Sequence, residues 1–238
     1  MPVRRTRRAV AAAVSAGLIG LAAAGCSDGG ASAAAAVTVV APEHAKALTE
    51  LPATVEGTKI VVGDPSAPHT VTVYVDPRCG YCAKFEASGG PVLAELAGEG
   101  TVRVEYVVAS FLDARTGDTA SARAANALRA SVEAGPGKFA AFQAALFASQ
   151  PEGGTKDGFS VDHLLRIADG VDGLRSPAFD RAVRENTYGT WVADSERAFE
   201  ESGAGGTPTV LVDGTPLPGG NALYDTAQFR EALREAGI

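Results

Sequence analysis

The stretch Pro68-His69-Thr70-Val71-Thr72-Val73-Tyr74-Val75-Asp76-Pro77-Arg78-Cys79-Gly80-Tyr81-Cys82-Ala83-Lys84-Phe85-Glu86 decides how this chain is read. From Pro68 to Asp76, Val71, Val73 and Val75 alternate with Thr70, Thr72 and Tyr74, which is the period of a β-strand. Asp76-Pro77-Arg78 breaks the strand. A helix is then expected from about Cys79 through Cys82, Phe85 and Glu86, with Gly89-Gly90-Pro91 marking a break or kink. Cys79 would sit at a helix N-terminus with Cys82 one turn later. The thiolate is the reactive form of cysteine, and helix N-termini stabilise it through the dipole and free backbone N–H groups. Cys79 is therefore the expected nucleophile, with Arg78 beside it a further source of positive potential, and Cys82 the resolving thiol.

The chain has three cysteines, and the third is Cys26. A bridge between Cys79 and Cys82 would close too small a loop to stabilise the fold much, so chemistry is the better reason for the pair. Zinc would need about four ligands, and His44, His69 and His163 lack ligand-like spacing to the sulfurs. Copper transfer would favour methionines, and the only Met is the initiator. No metal is expected; an inert local disulfide stays open as the bland alternative.

Working outward, Arg4, Arg5, Arg7 and Arg8 precede an apolar run from Ala9 to Gly25, the layout of a secretory signal. The run is short for a membrane-spanning helix. It ends Leu21-Ala22-Ala23-Ala24-Gly25-Cys26, which resembles a bacterial lipobox, so residues 1–25 are expected to be removed and Cys26 lipidated. An ordinary signal cleaved nearby is the alternative. Residues 26–56 are expected to be a flexible tether, Gly/Ser/Ala-rich at its start, with a short helix possible near Glu43 to Leu51. The formal net charge is −7, and loss of those four arginines leaves 17 basic against 28 acidic residues. So acidic a chain has no electrostatic route to nucleic acid, where affinity comes from neutralising phosphates. It would not adsorb to an anionic membrane either, which leaves a lipid anchor as the route to the bilayer.

Beyond the cysteines, Val102 to Val108 reads as a second, buried strand, and about 113–202 is helical in pattern. Ala120, Ala124, Ala127, Leu128 and Val132 make one apolar stripe; Phe139, Phe142 and Leu146 make another. Ser160 and Ser176-Pro177 are helix starts, and a helix from about Trp191 to Ser202 stops at Gly203. After Gly205-Gly206-Thr207-Pro208 come a strand over Thr209 to Val212, an Asp213-Gly214 turn and a partner near Thr215 to Pro218. Asp225 with Gln228 caps the last helix, which carries Phe229 and Leu233.

The run from Cys79 to Glu86 after a strand, a helical insertion, and then Gly206-Thr207-Pro208-Thr209-Val210 together resemble a DsbA-type thioredoxin-fold protein over about residues 57–238. The resemblance implies an α/β fold: a thioredoxin-like domain with a central mixed sheet, from 57–112 and 203–238, and an inserted helical subdomain over 113–202. It implies a cis Thr207–Pro208 bond facing the two cysteines, with Thr207, Pro208 and Tyr81 at the substrate-binding surface. It implies exchange of disulfides with unfolded or reduced cysteine-containing exported proteins, no cofactor beyond the dithiol, and re-oxidation by a membrane partner. Two positions depart from the relatives. Val73 occupies the place of a buried acid, for which Asp76 is the nearest substitute unless it caps the following helix. Tyr81 stands where the strongest oxidants carry His, so a Cys79 pKa below that of an ordinary thiol but a less oxidising potential is expected. A reductase or isomerase, or a non-catalytic peptide-binding lipoprotein, are the other readings.

Overall fold

The computed structural model describes residues 50–150 and 158–238. The signal, the lipobox with Cys26, and most of the expected tether lie outside the described residues. Six strands form one mixed sheet: β1 (Ala53–Glu56), β2 (Lys59–Val62), β3 (His69–Val75), β4 (Val102–Val108), β5 (Thr209–Val212) and β6 (Thr215–Pro216), in the order β1-β2-β4-β3-β5-β6. Only β3 and β4 run parallel, registered from His69 opposite Val102 to Val75 opposite Val108. The helix α1 (Gly80–Gly98) makes the crossover between them, as a parallel pair requires. At the other end of the chain Asp213 (φ 48°) and Gly214 (φ 81°) turn β5 into β6 with two positive φ angles, the backbone of a type I′ hairpin turn.

The remaining helices are α2 (Leu112–Thr116), α3 (Ala120–Val132), α4 (Lys138–Ala148), α5 (Val161–Asp169), α6 (Pro177–Arg184), α7 (Gly189–Glu201) and α8 (Thr226–Glu235). Their starts follow local chemistry. Ser160 and Ser176 accept from the backbone N–H of His163 and Phe179, and Asp225 accepts from that of Gln228. Strand alternation sends Val71, Val73, Val75, Val104, Tyr106 and Val108 into one core with Phe85, Leu93, Phe139, Phe142 and Phe229. Val107, on the opposite side of β4, joins Phe199 of α7, packed against by Tyr74 and Phe111.

Three expectations change here. The tether does not extend to residue 56: Leu51 is buried, and β1 pairs with β2 from Ala53 opposite Val62 to Glu56 opposite Lys59. The helix α1 does not break at Gly89-Gly90-Pro91. An added Cβ at Gly89 would stand 2.4 Å from the Phe85 ring, and one at Gly90 would stand 2.9 Å from the Glu86 carboxylate. The glycines thus make room for the preceding turn, and the Thr226 hydroxyl donates to the Ser88 carbonyl beside the proline. Nor is all of 113–202 apart from the sheet. In α7, Ser195 accepts from the Val108 N–H and Glu196 from the Ser110 N–H, so this helix covers the sheet face that carries Val107.

Candidate active site

The end of β3 delivers the two cysteines to the start of α1. Cys79 is the N-cap, in extended conformation (φ −72°, ψ 114°), with its N–H donating to the Asp76 carbonyl. Cys82 is fully buried one turn on, while Cys79 is half-buried. Both thiols are free. The Cys79 Sγ lies 3.2 Å from the carbonyl oxygen of Thr207, and the Thr207–Pro208 bond is cis. The site thus joins the first turn of α1 to the loop ahead of β5, residues 128 positions apart.

This geometry separates the two thiols. The Cys79 pKa falls to about 5, chiefly because the Cys82 thiol donates to its sulfur. The backbone N–H groups of Cys82 and Tyr81 add to this, against the opposing effect of burial. Cys82 moves the other way, well above an ordinary thiol, because burial and the neighbouring Cys79 both oppose its charge. A thiolate at Cys79 beside a protonated Cys82 can attack a disulfide, and the oxidised pair can be attacked at its half-exposed sulfur.

Tyr81 is the one large apolar side chain that is exposed among the described residues, at 58%. The Lys84 ammonium sits 5.0 Å from its ring centre and the Tyr224 ring 5.7 Å away. Both sulfurs help to hold the Tyr224 hydroxyl above its usual pKa, after burial, so its position beside the pair was missed by local sequence patterns.

The side chains of Asp76 and Arg78 both bond to residues between 112 and 121. Asp76 is fully buried and does not cap α1. Its carboxyl accepts from the Arg78 N–H (2.9 Å), the Ser121 hydroxyl (2.7 Å) and the Leu112 N–H (3.1 Å). Burial pushes its pKa up to about 7, those three donors opposing. The Arg78 guanidinium is buried. It pairs with Asp118 at 2.7 Å and Asp113 at 3.5 Å, and donates to the Thr116 hydroxyl. Val73 is a buried core residue of β3.

A second buried acid was not singled out from the sequence. Glu86, one turn beyond Cys82, faces Tyr106 and Gln143 in a cavity of about 20 Å³ that Leu93, Val104 and Phe139 help to line, enough for about one water. Gln143 donates to its carboxyl at 3.0 Å, and the Gln143 Oε1 is buried without a partner. A lone Glu in an apolar helix pattern looks like any solvated residue; only its packing against α4 marks it. Burial raises its pKa to about 7. The folded chain therefore holds this proton more tightly than the unfolded one. The contribution to stability is complete below about pH 4.5 and is lost as pH rises through about 7, by at most about 3 kcal/mol. Glu86→Gln should remove this part of the decline, measured as denaturant midpoints between pH 4 and 8. An unchanged pH profile would assign the decline to other groups.

Among the described residues no group of three or more His, Cys, Asp or Glu side chains is placed to hold a metal, and no helix is long and apolar enough to cross a membrane. A family model described as thioredoxin matches residues 55–234. No curated protein matches the chain in sequence. Solved structures share its fold. BdbD from Bacillus subtilis is 19% identical with a TM-score of 0.64, covering 79% of this chain and 97% of that one. MdbA, a thiol-disulfide oxidoreductase from Corynebacterium diphtheriae, is 18% identical with a TM-score of 0.62, covering 80% and 98%. DsbA from Mycobacterium tuberculosis is 24% identical with a TM-score of 0.57, covering 79% and 93%.

Proposed function

The chain belongs to the thioredoxin family, and from that premise we propose that it is an exported, DsbA-type thiol-disulfide oxidoreductase that introduces disulfides into secreted or cell-envelope proteins. The observation that carries this reading is the asymmetry of the pair: Cys79 half-exposed at the start of α1 with its pKa near 5, Cys82 buried and protonated.

In the oxidising direction the enzyme starts with a Cys79–Cys82 disulfide. A substrate thiolate attacks the Cys79 Sγ, forming a mixed disulfide; the Sγ–Sγ bond breaks and its electron pair goes to Cys82, which takes up a proton. A second substrate thiolate attacks the substrate sulfur of the mixed disulfide, which closes the substrate disulfide and expels Cys79 as a thiolate. Two electrons have passed from two substrate thiols to the pair, and an oxidising membrane partner must remove them before another turnover. The low Cys79 pKa stabilises the leaving thiolate and so favours this direction. The Thr207 carbonyl is 3.2 Å from the sulfur, Pro208 follows it across the cis bond and Tyr81 is exposed two positions after Cys79, and these observations support the three as the proposed substrate-binding residues.

The decisive experiment compares oxidation of a reduced, unfolded substrate with reduction of insulin, alongside the redox potential. A pKa of about 5 lies between those of thioredoxin (~7) and DsbA (~3.5), so the potential is expected between about −270 and −120 mV. Efficient oxidation with slow insulin reduction supports the oxidase. Efficient reduction with a potential near −270 mV would make the chain a reductase. Attachment by a lipid on Cys26 belongs to the same proposal; the mass of the protein isolated from its own membranes should exceed that of residues 26–238 by the lipid, and an unmodified Cys26 would refute it.

A further inference from the structure

Three sets of contacts reach from the helical insertion to residues 76–79. Leu112 and Ser121 hold the Asp76 side chain, and Asp113, Thr116 and Asp118 hold that of Arg78. The third grips the main chain of the nucleophile. Gln150, just beyond α4, donates from Nε2 to the Pro77 carbonyl at 2.6 Å and to the Cys79 carbonyl at 3.1 Å. A carboxamide nitrogen has two hydrogens, so both are committed to this one turn.

The Cys79 carbonyl also accepts from the Ala83 N–H, the first hydrogen bond of α1. It is thus held from the helix on one side and from Gln150 on the other. Since ψ of Cys79 sets both the direction of that carbonyl and the angle at which α1 leaves, fixing the carbonyl fixes the sulfur relative to the N–H groups of Tyr81 and Cys82. With both of its N–H groups on main-chain carbonyls, Gln150 has no donor left for Sγ.

We propose that Gln150 is a positioning residue for Cys79, its carboxamide clamping the Pro77 and Cys79 carbonyls so that the sulfur stays at the N-terminus of α1 against Thr207. The role rests on the exchange activity proposed above. It also gives the insertion a part in the chemistry, because the clamp comes from the end of α4.

The test uses three variants of the whole mature protein. Gln150→Met keeps the length and removes both donors. Gln150→Glu keeps the shape but turns acceptors toward two carbonyls. Gln150→Lys returns donors of a different shape. Losing a hydrogen bond is worth a few-fold to about tenfold in an equilibrium or rate. Gln150→Met should lower kcat for exchange roughly three- to tenfold with KM unchanged, and raise the midpoint of Cys79 alkylation by about half to one pH unit. Gln150→Glu should do more, and Gln150→Lys should regain most of the lost kcat. Wild-type kcat and midpoint in the Met and Glu variants would overturn the proposal, as would a loss that Lys does not restore, which would assign the effect to packing. These outcomes count only against an active parent; a wild-type chain without exchange activity, or with Cys79 titrating near 8.5, instead refutes the proposed function.

Discussion

Replacing Cys79 by serine is expected to reduce disulfide exchange to the uncatalysed background, a loss of about a thousandfold or more, because a hydroxyl is not ionised at neutral pH and cannot form the mixed disulfide. Cys82→Ser should fail differently. It leaves the half-exposed nucleophile in place and removes the thiol that resolves the intermediate, so the protein should accumulate covalently on cysteine-containing partners, as bands on non-reducing gels that vanish with reductant. Cys82→Ala also removes the largest single influence on the Cys79 charge, the S–H donated by Cys82, which a serine hydroxyl would replace. The alkylation midpoint of Cys79 should accordingly rise in this variant. Substantial exchange by Cys79→Ser would show that the pair is not the catalyst; trapped complexes on Cys82 in that background would mean the two roles are reversed.

Arg78→Met is expected to have the largest effect on stability. The side chains of Arg78 and Asp118 are 5% and 4% exposed, and that of Asp113 is 13% exposed. Removing the guanidinium takes away the charge partner that lies 2.7 Å from the buried Asp118 carboxylate, and breaking such a buried pair costs about 3–5 kcal/mol. The damage should spread, because the same carboxylates organise the start of α3: Asp118 accepts from the Ala120 N–H, and Asp113 from those of Ser121 and Ala122. Urea unfolding followed by far-UV circular dichroism reads the loss, and a midpoint equal to the parent's would rule out a structural role for the cluster. Asp118→Asn, which keeps the shape and removes only the charge, should cost less than Arg78→Met.

Much of the frame was legible because it is written in short-range patterns. The Val-Thr alternation of β3, the apolar run of β4 and the caps at Ser160, Ser176 and Asp225 each involve residues within a few positions of one another, and each element lies where that pattern places it. The same local reasoning misleads where a distant partner decides. Gly89-Gly90-Pro91 carries every sign of a helix break, yet the Phe85 ring occupies the space beside Gly89 and Thr226 takes the Ser88 carbonyl. Strand β1 has only four residues, half of them exposed, beside a low-complexity segment; only its pairing with β2 reveals it. Arg78 adjoins Cys79 in the chain, but its partners are 35 to 40 positions away in the insertion. Glu86 and Gln150 were illegible for the same reason: what distinguishes them is Gln143 in one case and the Pro77 and Cys79 carbonyls in the other.

The carbonyl of Thr207 reaches Cys79 across 128 positions of chain. Until Thr207, in the last seventh of the polypeptide, has docked, the thiol therefore lacks one wall of its site, and until α1 has formed it lacks the N–H groups that favour its charge. A nascent or extended chain carries only an ordinary cysteine there, with little appetite for passing disulfides. Reactivity switches on when the two ends of the domain meet. The proposed activity on other unfolded chains would in this way be kept chemically quiet while the protein is still one of them.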